Sequence, residues 1–394
     1  MALVVEYTKS INEKKDSYKK LSFFFYNLNM KYKIALLLFF IGSKSLIFSQ
    51  EFRDQLSKEK IFFVEIYSDK GNLIGSTNSD GLVSKELENK VLASDTKNLT
   101  FVNSFYQNKV VAIDDFNSNS IVTMFPIINA LEEVVISNKK DKNKYLVIRT
   151  YVRSLQINND RVQYFMDGIV EYYISLKTKK IKLKFISNRS FENKSIPQLK
   201  EKGLKIYFQI VGAPMLSELL DYNKLNESYI LQKEAIDVKI NNKEDNSLRG
   251  TLHLDSNRTS LSLAIITDDK PKVMKGLGIK NILNNYTINS LFSNNEFEKI
   301  GFNTLLYFKE TRNYSIKARK DIETQKVDAI HEVFVLEYRF SENIDTKGLD
   351  NNYSFINSSS YQDDYWKHVN NTLFQPLPKS VEKFIEENLT MIKK

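Results

Sequence analysis

From Ile61 onward the chain is broken into short apolar runs separated by turn clusters, and this rhythm restricts it to a mainly β fold built from antiparallel strands. Ile61-Phe62-Phe63-Val64-Glu65-Ile66-Tyr67 is a strand with partial alternation, and Ser68-Asp69-Lys70-Gly71-Asn72 is a turn. Leu73 to Thr77 is a second strand, and Asn78-Ser79-Asp80-Gly81 a second turn. Asp-Gly between strands signals a tight turn, because glycine takes a positive φ at no steric cost. Leu82 to Leu87, Leu99 to Phe105, Val110 to Asp114, Ser120 to Phe125 and Leu131 to Ile136 continue the row. That spacing predicts an antiparallel sandwich over 51–137.

After a charged linker at 138–144, residues 145–394 read as a larger β-rich domain with few helices. Tyr145 to Ser154 and Tyr164 to Leu176 are rich in Val, Ile, Tyr and Phe, as strands are. Lys179 to Ile186 alternates Lys with Ile, Leu and Phe, the mark of a half-exposed strand. Asp167-Gly168 suggests a bulge or turn, and Leu204 to Val211 a further strand or a helix start. Met215 to Tyr222 has the spacing of a short helix. Strands are expected at Thr251 to Leu254 and Leu261 to Ile266, then in a meander over Phe302 to Lys309, Tyr314 to Arg319 and Ala329 to Phe340. The chain closes with an amphipathic helix capped at Ser380 and bearing Val381, Phe384, Ile385, Leu389 and Ile392 on one face. Long strands with a closing helix suggest a large antiparallel sheet, with a curved half-barrel as one form of it.

The compartment is argued from residues 30–50. Lys31 and Lys33 precede an apolar run from Ile34 to Ile41, and Ser49 offers a small residue before a cut, which is the export pattern. The run is short for a membrane span, which takes about 20 apolar residues. Residues 1–29 sit ahead of this signal and read as a mis-annotated or disordered leader, so 1–50 is set apart from the fold. If the signal is not cleaved, this segment would associate with a membrane.

The chain has 57 Lys+Arg against 48 Asp+Glu, but residues 1–50 hold 8 Lys and only 3 of the acids. The remainder is close to neutral, which gives little reason to expect a nucleic-acid partner. There is no cysteine, so disulfides, thiolate metal sites, a cysteine nucleophile and a lipidated cysteine at the cut are all excluded.

Three stretches carry a family resemblance. "DKGNLIGSTNSDGLVSKEL", "FVNSFYQNKVVAI" and "IVTMFPIINALEEVVI" together resemble carboxypeptidase regulatory-like domains, over roughly residues 55 to 136. The resemblance implies a transthyretin-like sandwich that is not catalytic and serves as a docking or spacer module of the cell envelope. The usual opening strand is reduced here, since Arg53 to Lys60 supplies it poorly.

The search for chemistry finds no complete motif. His253, His331 and His368 are the only imidazoles. Asp364 and His368 would share a helix face but have no second half, so no metal site is assigned. Gly276-Leu277-Gly278 lacks the third glycine of a phosphate loop and reads as a loop before a short helix. Glu132 and Glu133 are adjacent strand residues and point to opposite faces, so they cannot flank one bond. Arg149, Tyr151 and Arg153 alternate along one strand face and are the candidate binding residues, with Arg offering planar donors to an anion or glycan. A solvent-facing polar row opposite Ile148, Thr150 and Val152 is the plainer account of the same pattern.

The reading is therefore an exported, non-enzymatic cell-envelope protein without a cofactor. It would bind an envelope protein, a lipid or a glycan, in the periplasm or at the outer membrane. A periplasmic hydrolase and a half-barrel lipid carrier are the alternatives. An apolar concave cavity would favour the carrier, and a pocket with a histidine and two carboxylates the hydrolase.

Overall fold

The computed structural model describes residues 50–393 except 79–80, 119–120, 128–142, 197–208, 235, 256, 277, 320–322, 346, 350–357 and 370–372. The expected leader, the expected signal up to Ser49, the strand expected at Leu131 to Ile136, Glu132 and Glu133, residues 138–142 of the expected linker and the start of the Leu204 to Val211 run lie outside the described residues. From Gln50 onward the chain forms one compact unit.

The first part of this unit is built from β1 (Glu51–Asp54), β2 (Glu65–Ser68), β3 (Leu73–Ser76), α1 (Lys85–Ala93), β4 (Asn98–Asn103), β5 (Tyr106–Ala112), α2 (Ile113–Ser118) and β6 (Ile121–Met124). The strands form a four-stranded antiparallel sheet, β3-β2-β4-β5, and a parallel pair, β1-β6. Both sheets contribute to one core, in which Phe52 of β1 meets Phe101 of β4 at 4.9 Å between ring centres.

The stretch expected as a strand from Leu82 to Leu87 is instead the entry to α1. Ser84 caps it by accepting from the Leu87 N–H, and Leu87 and Val91, four apart, face the core. Gly81 does sit in the left-handed region at φ +70°, and a Cβ there would lie 2.8 Å from the Ile61 carbonyl oxygen. Gly81→Val is expected to cost about 1–3 kcal/mol through strain and clash together. Denaturant unfolding checks this, and an unchanged midpoint would refute the requirement.

The second part is a 12-stranded antiparallel sheet. Its strands are β7 (Tyr145–Asn158), β8 (Arg161–Ser175), β9 (Ile181–Asn193), β10 (Tyr229–Lys233), β11 (Asp237–Asn242), β12 (Leu248–Asp255), β13 (Arg258–Ile266), β14 (Lys272–Gly276), β15 (Ile279–Phe292), β16 (Leu305–Ala318), β17 (Gln325–Ser341) and β18 (Leu389–Met391). The order is β10-β11-β12-β13-β15-β16-β17-β7-β8-β9-β18, with β14 folded back on β15. The end strands β10 and β18 do not pair, so the sheet is open rather than a closed barrel.

Among the described residues, two further helices are α3 (Tyr222–Ser228) before β10 and α4 (Lys379–Asn388) before β18. Where a helix was expected from Met215 to Tyr222, a single 3-10 turn at Glu218–Leu220 leads into α3. Pro378, not Ser380, caps α4, and Leu389 already belongs to β18. Gly276 and Gly278 flank a β-hairpin between β14 and β15 and not a loop before a helix, with Gly278 at φ +76°. The expected strands at Phe302 to Lys309 and Tyr314 to Arg319 are a single strand, β16. Asp167-Gly168 lies mid-strand, and the register shift falls just after it, between Ile169 and Val170.

The sheet buries both faces along its middle strands. On the inner face one continuous core runs from Val238 and Ile240 of β11 to Leu183 of β9, filled by Ile196, Val211, Leu216, Leu220 and Leu225 from the segment between β9 and β10. That single core, shared by strands from near both edges, requires the sheet to curl around the segment that fills it. The outer face is covered by β2 and neighbouring residues of the first part, by α4, and by Tyr365 and Leu373.

Candidate functional site

Arg149, Tyr151 and Arg153 do share the outer face of β7, but only the first is open to solvent. Arg149 is 40% exposed and pairs with Glu171 at 3.3 Å. Tyr151 is buried and donates to Asp167 at 3.1 Å. Asp167, itself buried, also accepts from the Arg189 guanidinium and the Tyr365 hydroxyl, and Trp366 stacks on Arg189 at 3.7 Å. This knot pins residues 365–368 onto the sheet. A solvent-facing row therefore does not exist here, because what covers a sheet face is decided by distant chain.

Arg153 lies deeper, in a buried polar seam between β2 and the sheet. Its Nε and Nη2 donate to Glu332 at 2.7 and 2.6 Å, and its Nη1 to the Gln375 carbonyl at 2.9 Å. Tyr307 donates to the other oxygen of Glu332 at 2.9 Å. Beside them Lys309 meets Glu65 at 2.8 Å, with both side chains no more than 6% exposed, and Tyr67 donates to Glu65 at 3.1 Å. A cavity of about 30 Å³ lies among these groups, enough for one water. Burial works to raise the Glu332 carboxyl, but the charges of Arg153 and Lys309 outweigh it and hold it below its ordinary value. Every charge has an opposite partner, so the seam joins the first part to the sheet and offers no free group to a ligand.

The three histidines are far apart in role. His331 is buried on the inner face, where Ser154 and Glu310 are its register partners on β7 and β16. Its Nδ1 is 2.8 Å from the Ser154 Oγ, which also accepts from the Gly212 N–H at 3.2 Å. Burial, helped by the charge of Arg312, pushes the imidazole down to about 3. Glu310 is engaged by Arg312 at 2.9 Å and Tyr286 at 3.0 Å. The row has the residue types of a nucleophile, base and acid. Yet Ser154 has no exposed surface, and its oxygen is held by the loop it anchors. His368 is exposed at the end of the turn Tyr365–Lys367, and Asp364 bonds Lys367 rather than His368. His253 pairs across β11 and β12 with Asp237 and lies close to Glu59.

A cavity of about 490 Å³ opens at one end of the curled sheet. Leu146 and Ile174 come from the start of β7 and the end of β8, Phe340 from the end of β17, and Ile300 and Phe302 from the connection before β16. Leu176 completes the apolar lining. Around it stand Asn223, Asn303, Asp221, Glu298, Lys179 and Lys299. The lysine Lys299 is held by Glu296 at 2.6 Å, and Asp221 caps α3 through the Asn223 N–H. The arrangement offers an apolar chamber behind a rim of amides and mixed charge, within the usual 300–1,000 Å³ of small-molecule sites.

None of these lining residues was marked by sequence reasoning. They come from five separate stretches, and no local spacing joins them. The nearest signal was the half-barrel pattern itself, which implies an end where the curl opens. Among the described residues no helix is long and apolar enough to cross a membrane. No protein-family model matches the chain, and no curated protein shows significant similarity to it.

Proposed function

We propose that this chain is an exported, non-enzymatic cell-envelope protein that holds a lipid-like amphipathic molecule at the open end of its curled sheet. The observation that carries this reading is the 490 Å³ cavity, lined by six apolar side chains and bordered by amides and charged groups of both signs. An acyl or similar apolar tail would lie against Leu146, Ile174, Leu176 and Phe340, while Asn223 and Asn303 would bond a polar head. The first part of the unit, which resembles regulatory-like docking modules, would serve to place the sheet against an envelope partner. No histidine lines this cavity, so the reading assigns it binding and not turnover.

Titration of the protein with a fluorescent NBD-labelled lysophospholipid tests the proposal. One saturable site is expected, and Leu176→Trp, which narrows the chamber with a bulky ring, should weaken it at least about tenfold, the equivalent of about 1.4 kcal/mol. Melting of the variant should match the native chain. Absence of saturable binding, or equal affinity in the narrowed variant, would overturn the reading.

A further inference from the structure

Glu59, Asp237 and His253 bring one ligand atom each to within 4.8 Å of one another. They come from three places that sequence does not connect. Glu59 stands in the turn after β1, Asp237 opens β11, and His253 lies opposite Asp237 on β12. His253 Nδ1 is 2.8 Å from the Asp237 Oδ1 and 4.0 Å from the Glu59 Oε2. All three keep access to solvent, at 36%, 30% and 50% exposure of their side chains.

We propose that these three residues form a zinc-binding site that clips the first part of the unit to the far strands of the sheet. An imidazole with two carboxylates suits Zn²⁺ better than Mg²⁺ or Ca²⁺, which favour oxygen ligands alone. At metal–ligand distances of about 2.0–2.1 Å, tetrahedral ligand atoms stand about 3.3 Å apart. The observed 2.8 and 4.0 Å separations bracket that value, and all three ligand atoms lie within 4.8 Å of one another, so shifts of at most about 1.5 Å in exposed side chains would close the site. The short contact is a proton-bridged His–Asp pair, and zinc would take the place of that proton. A second cavity of about 160 Å³ adjoins His253 and is also lined by Asp54, Tyr106, Asp255 and Arg258. It leaves room for the water that completes a three-ligand zinc centre.

The placement gives the site its consequence. Glu59 belongs to the first part, whereas β11 and β12 lie near the β10 edge of the sheet, several strands away from the seam around Arg153 and Lys309. A metal there would hold a second, independent point of the same junction. Because it binds the folded state only, it would raise the melting temperature as free zinc exceeds its Kd, rising further with the logarithm of zinc concentration.

The test uses the untagged chain stripped with a chelator. Calorimetric titration with ZnCl₂ alone, with MgCl₂ as the contrast, and thermal melting in parallel are the readouts. One zinc per chain is expected, with a rise in melting temperature that magnesium does not produce. His253→Ala and Glu59→Gln should each weaken zinc binding at least about tenfold and remove the rise. Glu59 is half exposed, so Glu59→Gln should melt like the native chain without metal. No saturable zinc binding at micromolar concentration, or zinc binding unchanged in both variants, would overturn the proposal. The site shares no residue with the 490 Å³ cavity, so its failure leaves the lipid reading standing, and the reverse.

Discussion

Arg153→Ala is expected to destabilise the folded chain by about 3–5 kcal/mol, the scale of breaking a buried ion pair by removing one partner. The substitution removes three hydrogen bonds, two to Glu332 and one to the Gln375 carbonyl. It leaves the Glu332 carboxylate buried beside Phe334 and Phe374, the rings against which the guanidinium now packs. Lys309 is too committed to Glu65 to take over fully. Arg149→Ala, on the same strand face, should cost no more than about 1 kcal/mol, since its pair with Glu171 is 40% exposed at the arginine. Replacing Arg153 and Glu332 together by Met and Leu should recover much of the loss, because no charge is then stranded. Denaturant unfolding of the four proteins measures this ordering. Equal midpoints for Arg153→Ala and Arg149→Ala would mean that the seam does not hold the junction. A loss of ligand binding without loss of stability would return Arg153 to the surface role its sequence position suggests.

That contrast shows where sequence reading stops. The alternation of Arg149, Tyr151 and Arg153 against Ile148, Thr150 and Val152 places the residues on the correct faces. It does not say whether a polar face meets water or another layer of the same chain. Here Glu332 and Gln375, more than 150 residues downstream, meet Arg153, Tyr307 joins through Glu332, and only the fold brings them there.

The strands that sequence displays best are β7, β8 and β17, whose Val, Ile, Tyr and Phe content matches burial on both faces. The longest of the strands it hides, which include β10, β11 and β14, is β15. Asn281, Asn284, Asn285 and Asn289 weaken its strand signal, since asparagine is depleted in strands. The sheet tolerates them by local pairing, with Asn289 accepting from Ser262 at 2.9 Å and Asn284 donating to Ser315 at 2.8 Å. In α1 the reverse occurred. The apolar residues from Leu82 to Leu87 imitate a strand, while the Ser84 cap and the Leu87/Val91 spacing carry the helical information. The cavity was illegible for a different reason. Its walls are the ends of three strands and a loop, so it exists only once the curl has formed.

Acid is expected to destabilise the chain over two successive pH ranges, the first governed by His331. Burial holds this imidazole at about 3, against an ordinary 6.5. Its folded value is depressed, so the unfolded chain takes up a proton below pH 6.5 while the folded chain does not. The stability is therefore fully present above pH 6.5 and falls by about 1.4 kcal/mol per unit as pH drops, levelling near pH 3. Glu310 beside it acts in the opposite sense. Burial raises its carboxyl, against the pull of Arg312 and Tyr286, so the folded chain binds that proton more readily and regains some stability in acid. Below pH 4.5 the second range begins. Glu332 has a lowered folded value, so its contribution is present above 4.5 and is lost as pH falls through that value. His331→Gln keeps a polar group facing Ser154 but cannot titrate. The difference in unfolding free energy between native and variant proteins should shift by about 2 kcal/mol between pH 6.5 and 4.5, with the native chain losing more. Carboxylates elsewhere titrate alike in both proteins and cancel from that difference. Parallel pH profiles for the two proteins would show that the imidazole is hydrated or charged in the folded state. The Ser154 contact would then be open to solvent, and the Ser154–His331–Glu310 row would have to be reconsidered as a site of chemistry.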